Sequence, residues 1–126
     1  LQEVLPLEPL ALADHPELTT QAGHLAESVV GTLLCSVPGL DVAHVPERPD
    51  EPEIDFVLTL GTVRIPLEVK YQRRLDPWRD TEALRTFVER SANRAPFGLL
   101  VTQLDDPPVD DPRIVALPLS SLLLLR

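Results

Sequence analysis

Between Glu53 and Lys70 the chain alternates apolar and other residues in two runs, with Gly61-Thr62 between them. A period of two is the mark of a strand with one buried face, so Ile54–Leu60 and Arg64–Lys70 read as the arms of a β-hairpin. Glycine at the first central position suits a two-residue type II′ turn, whose twist matches the flanking strands. That turn sets the register: Leu60 faces Val63, Asp55 faces Glu68, and Glu53 faces Lys70. On this register Ile54, Phe56, Leu58, Ile65, Leu67 and Val69 form a core face. Asp55, Glu68 and Lys70 share the opposite face, which is left for chemistry.

Facing side chains on one sheet surface have Cβ atoms about 4.5–5.5 Å apart, so Asp55 and Glu68 repel unless a cation lies between them. A divalent metal answers that need. Mg²⁺ prefers one or two carboxylates and fills its remaining positions with water and phosphate oxygens.

An Asp, a hairpin's length, and then Glu68-Val69-Lys70 resembles the PD-(D/E)XK nuclease superfamily, with Ile54-Asp55 in place of Pro-Asp. The order of Gly23-His-Leu-Ala-Glu27-Ser-Val-Val30, then Glu53-x-Asp55-Phe-Val-Leu, Ile65-Pro-Leu-Glu-Val-Lys70, a strand and a closing Ala-Leu-Pro-Leu is similar to a C-terminal domain that follows an AAA+ ATPase module in bacterial and archaeal proteins. The likeness spans roughly residues 10 to 122 and implies an α/β fold with a restriction-endonuclease-like core, a central mixed β-sheet flanked by helices in the order αβββαββ. It implies Mg²⁺ or Mn²⁺ held by Asp55, Glu68 and the Val69 carbonyl, with Lys70 orienting water or stabilising the phosphate. It also brings in Glu27, because an acid from the first helix commonly joins such sites. The implied partners are DNA or RNA and an N-terminal ATPase region of the same polypeptide.

At 126 residues the chain is one domain with an aliphatic core, since aromatics are only 4%. Residues 1–18 read as a proline-punctuated linker from a preceding ATPase region, and 19–126 as the nuclease-like domain. The 14 prolines, about twice the usual frequency, predict short elements and argue against long helices. The single cysteine, Cys35, excludes a disulfide framework, points to a cytoplasmic location and reads as a small buried hydrophobe. No stretch approaches the roughly 20 apolar residues of a membrane span.

A net charge of −9 opposes a dedicated nucleic-acid binder. Its distribution softens this. Residues 64–94 hold eight basic against five acidic residues, whereas the remainder holds three against fifteen. Basic charge therefore gathers just after the hairpin.

Leu25, Val29, Val30, Leu33, Leu34 and Val37 recur at helical spacing, with Thr19 or Thr20 as a possible N-cap near Gln21 and Pro38-Gly39 as the stop. Glu27 stands at the margin of this stripe, where a carboxylate either reaches water or is paired, protonated or metal-associated. His24 shares its face and reads as exposed or capping rather than as a ligand. Asp41–Val45 is a short strand, and the acidic loop Pro46–Pro52 leads into the hairpin. Asp76-Pro77 reads as an N-cap with proline at the first helical position, opening a helix to about Asn93 with Leu84, Phe87 and Val88 inward. Trp78 either stacks on a base or partner or packs over the helix start, the second being preferred. Phe97–Thr102 is a buried strand, Leu104–Arg113 an acidic loop, Ile114–Leu117 a last strand and Ser120–Leu125 a helical tail.

Three functions fit these residues: a metal-dependent phosphodiesterase acting on nucleic acid, a non-catalytic partner-binding module on the same fold, and a purely structural ion network. No Gly-rich phosphate loop is present, so ATP hydrolysis does not belong to these residues.

Overall fold

Among the described residues five strands pair in chain order to make one mixed sheet: β1 (Asp41–Val45), β2 (Ile54–Leu60), β3 (Val63–Lys70), β4 (Gly98–Thr102) and β5 (Ile114–Pro118). The first three are antiparallel, and β4 and β5 join parallel to β3 and to each other. The structure, a computed structural model, describes residues 16–103 and 107–124. The proposed 1–15 part of the linker and residues 104–106 of the acidic loop lie outside that range.

The hairpin register runs from Leu60↔Val63 to Phe56↔Leu67, as the alternation requires. Gly61 has φ +62°, whereas Thr62 stays out of the left-handed region, the pattern of a type II′ turn. The expected division into one packing face and one chemical face does not hold. Helix α1 (Pro16–Cys35) and helix α3 (Leu119–Leu123) cover one face, where Ala26, Val30 and Leu34 meet Leu58, Ile65, Leu67, Val101, Leu119 and Leu122. Helix α2 (Glu82–Glu89) covers the other, with Phe87 against Ile54 and Val57, and Leu84 against Leu100 and Ile114. The parallel strands supply buried side chains to both layers, as strands sandwiched between helices do.

At 20 residues α1 overturns the expectation of short helices. The prolines are many, but none falls between Glu17 and Val37. Thr19 and Thr20 lie inside this helix rather than capping it. The buried row is Ala22, Ala26, Val30 and Leu34, each four residues from the next, and Leu25 and Val37 are exposed. Alanine carries little apolar weight in a pattern search, yet its small side chain lets the helix sit close to the sheet. Gly31 serves the same approach: a Cβ there would stand 3.1 Å from Phe56 Cζ. Cys35 is exposed rather than buried, because it follows the row at Leu34 and ends the helix.

The helix expected from Asp76 to Asn93 is divided into a 3-10 turn (Arg79–Thr81), α2 and a second 3-10 turn (Ser91–Asn93). Asp76 nonetheless caps its start, accepting the N–H groups of Trp78 and Arg79 at 3.0 and 2.8 Å. Val88 is only half-buried. Among the described residues no helix is long and apolar enough to cross a membrane.

Candidate functional site

The hairpin ladder changes character at the end remote from its turn. Between β1 and β2 the pairing moves from Ala43↔Val57 to Val45↔Ile54, so three steps along β2 oppose two along β1. This is a β-bulge, and it resets which residues share a face. Ile54 and Val57, three apart, both pack beside Phe87, leaving Asp55 and Phe56 between them. Ile54 is thus on the face opposite to the one the alternation assigned.

Asp55 and Glu68 meet across this opening, each holding the other's strand. The Asp55 N–H donates to Glu68 Oε1 at 3.0 Å, and the Val69 N–H donates to Asp55 Oδ2 at 2.9 Å. Each carboxylate takes a backbone donor of the facing strand, the role that carbonyl oxygens play further along the ladder. Val69, assigned a carbonyl ligand's role above, meets the pair through its N–H. Among the described residues, Asp55 Oδ1 and Glu68 Oε2 accept no hydrogen bond.

Burial governs the protonation of the pair. Glu68 is only 5% exposed, and its carboxyl is pushed up to about 7, by burial first and then by the Asp55 charge. The Asp55 N–H and Lys70 pull it back only in part. Asp55 is also raised, by burial above all, against the lowering effects of the Val69 N–H and Lys70. The pair is therefore held in place by hydrogen bonds yet short of positive charge.

Lys70 provides the nearest cation, with Nζ 3.9 Å from Glu68 Oε2. That distance is an ion pair without a hydrogen bond, and the lysine side chain remains 34% exposed. Glu53 was expected opposite Lys70, but β2 starts only at Ile54. Glu53 Oε1 instead lies 3.9 Å from His44 Nε2, and His44 Nδ1 is 3.2 Å from the Asp55 carbonyl. His44 is the neighbour that the sequence reading missed. It lies on β1, and only the bulged β1–β2 pairing carries it beside Asp55.

Glu27, on α1, is half-buried. Its carboxyl is raised by burial, then by Asp55 and Glu53, while His24 and His44 act in the opposite direction. The helix acid is thus within the electrostatic field of the hairpin carboxylates. It does not complete a closed metal cage: among the described residues no three His, Cys, Asp or Glu side chains are grouped to hold an ion. Glu27 opens instead onto a groove of about 860 Å³ shared with His24, Ser28, Gly31, Thr32 and Phe56.

The acidic loop before the hairpin is tied down. Arg90 bonds Glu51 and the Asp50 carbonyl, each at 2.6 Å, anchoring the loop to the end of α2. The loop after Lys70 carries Arg73 and Arg74, both exposed.

Comparison of the chain with protein-family models, characterised proteins and solved structures found no match.

Proposed function

We propose that the bulged end of the hairpin is a metal-dependent phosphodiesterase site acting on DNA or RNA, built on a restriction-endonuclease-like core in the C-terminal part of an ATPase-linked polypeptide. The reading rests on one observation: Asp55 and Glu68 are locked together by reciprocal backbone hydrogen bonds, with Lys70 beside them. Two adjacent carboxylates whose pKa values are both raised form an arrangement that a divalent cation relieves.

The donor set fits Mg²⁺ or Mn²⁺. Among the described residues both carboxylates keep an oxygen that no N–H occupies, oxygen ligands suit hard cations, and a two-carboxylate share leaves positions open. Asp55, Glu68 and the Val69 carbonyl would hold the ion, with Glu27 assisting from α1. When bound, the ion supplies an activated water and offsets charge on the phosphate. Lys70 is not clamped by a hydrogen bond to Glu68, so its ammonium is free to orient the attacking water or to stabilise the charge that grows on the phosphate oxygens. The backbone bonds to Asp55 and Glu68 fix both carboxylates before substrate arrives, so little reorganisation is required during reaction.

A second reading, a partner-binding module that retains the fold without hydrolysis, is favoured by the net charge of −9, which opposes a polyanion. A cleavage assay separates the two. The protein should cut DNA or RNA with Mg²⁺ or Mn²⁺ but not with EDTA, and Lys70→Ala should abolish cutting while retaining the wild-type circular dichroism spectrum. Equal cutting by wild type and Lys70→Ala would place the activity elsewhere. No cutting of single-stranded, duplex or branched substrates would leave the partner-binding reading.

A further inference from the structure

Trp78 is the only tryptophan in the chain, and it is 72% exposed. An aromatic ring this exposed is ordinarily free to swing, but this one is pinned. The Arg85 guanidinium carbon lies 3.6 Å from the ring centroid, a cation–π contact. Arg85 itself is buried, and its Nη2 donates to the Trp78 carbonyl at 2.7 Å while its Nε donates to Thr81 Oγ1 at 3.2 Å. The backbone under the ring is fixed as well, because Asp76 accepts the N–H groups of Trp78 and Arg79. One face of the indole is therefore backed by a rigid cation. The packing over the helix start expected from sequence is present, yet it leaves most of the ring in solvent.

The surroundings indicate what the open face is for. Gln72 Nε2 donates to Asp80 Oδ2 at 3.0 Å, and the Asp76 N–H donates to the same oxygen at 2.8 Å. These bonds strap the loop that leaves β3 to the turn that carries Trp78. Lys70 and Trp78 each lie two residues from this strap, which places them within about 20 Å of each other, a few nucleotides of a single strand. On the loop and turn that this strap joins, Arg73, Arg74 and Arg79 are exposed and form no ion pair among the described residues. The nearby acids are already engaged. Asp76 and Asp80 accept backbone N–H groups, and Asp111 is bound by Arg113. Among the described residues Asp110, in the cleft that Trp78 lines, and Glu82, one turn after Trp78, oppose the arginines without such a partner.

We infer that Trp78 is a stacking platform for an unpaired base, with Arg73, Arg74 and Arg79 along the phosphate path, so that the chain engages single-stranded rather than duplex nucleic acid. This rests on the nucleic-acid reading of the Asp55–Glu68–Lys70 site and specifies its substrate class. Aromatic side chains accept any base on their π-face, whereas duplex bases are already stacked on each other. Backing the indole with Arg85 removes the ordering cost that a mobile ring would impose on binding.

Because the chain has a single tryptophan, its fluorescence reads this surface directly. Titration in EDTA with a single-stranded oligonucleotide of about 12 nucleotides should quench Trp78 emission, and the blunt duplex of the same sequence should not. Trp78→Ala should weaken single-strand binding about tenfold by anisotropy of a labelled oligonucleotide, and Trp78→Phe should restore most of it. Unchanged emission on single-strand addition, equal quenching by duplex, or wild-type binding by Trp78→Ala would overturn the inference. Cutting with Mg²⁺ while Trp78 emission stays unchanged would remove the platform and leave the hydrolytic site. Quenching without cutting would do the reverse, keeping a single-strand binding surface on a chain that does not hydrolyse.

Discussion

Asp55 and Asp111 are both bonded to a backbone N–H and both lie near a basic side chain, yet their surroundings drive their protonation in opposite directions. Asp111 sits at the approach to β5, where Arg113 bonds it through Nε at 3.1 Å, Nη2 at 2.8 Å and the backbone N–H at 2.9 Å. Those bonds, led by the guanidinium, hold its carboxyl down at about 2. The same Arg113 reaches Glu89 at 3.3 Å, so the clamp also joins β5 to α2. At the bulge the nearest cation is 3.9 Å from Glu68, the carboxylates are buried, and Asp55 and Glu68 are both raised. An acid placed for structure is given its counter-charge by the fold. The hairpin pair is fixed in position with only Lys70, 3.9 Å from Glu68, to oppose its charge, and that shortfall is what the proposed cation would fill.

The sharpest way to break this comparison is to exchange the outcomes at its two ends. Lys70→Ala should cost about 10²-fold or more in cleavage and little in melting temperature, whereas Asp111→Ala should leave cleavage intact and lower the melting temperature by a few degrees. Activity loss on Asp111→Ala, with the fold retained, would show that the clamp belongs to the site.

Next in size is the relief of the buried acids. In EDTA, Glu68→Gln should stabilise the protein by about 1–3 kcal/mol at pH 8 in urea unfolding, since the amide still accepts the Asp55 N–H and carries no buried charge. The direction with pH follows from the sign of the shift. A carboxyl raised from 4.5 to about 7 keeps its proton longer when folded, so wild-type stability falls as pH rises through that window and levels off above it. The margin of Glu68→Gln should open over the same range. Asp55→Asn should behave alike, and Mg²⁺ should raise the melting temperature of wild type but of neither variant.

The Asp111 clamp should respond in the opposite sense. Its carboxyl is depressed from 3.8 to about 2, so its contribution is present above the higher value and is lost as pH falls through the lower one. The Asp111 side chain is half-buried and that of Arg113 is 39% exposed, so water reaches the pair, and the melting-temperature difference between wild type and Asp111→Asn should be small and should shrink in high salt as well as in acid. A difference that survives both would mean that the residue acts through packing rather than charge.

The smallest effect belongs to Glu53→Gln. Glu53 neighbours His44 rather than Lys70, so the substitution should leave the maximal cleavage rate near wild type. It should shift the acidic limb of the pH–rate profile slightly to lower pH, because the Glu53 charge raises Asp55, Glu68 and Glu27. A marked rise in rate would show that Glu53 restrains Lys70 in solution.

Features encoded over short stretches were legible in the amino-acid order. A two-residue turn with glycine at its head determines the hairpin register from Leu60↔Val63 onward, and a side-chain acceptor before proline determines the cap at Asp76. From these the α/β character and the meeting of Asp55 with Glu68 follow, because turn and cap energies are local and need no knowledge of distant residues. The tertiary structure decided whatever depended on a partner far along the chain. The β1–β2 bulge turned Ile54 to the α2 face and brought His44 to Asp55, and a bulge is a mismatch between two strands that neither states alone. The burial of Glu68, and with it the direction of its protonation, required both faces of the sheet to be covered. The platform at Trp78 required Arg85, seven residues away, to rest beneath the ring. Sequence periodicity reports which side chains can share a face, but only the completed packing of helices on the sheet sets which of them lose water and which keep it.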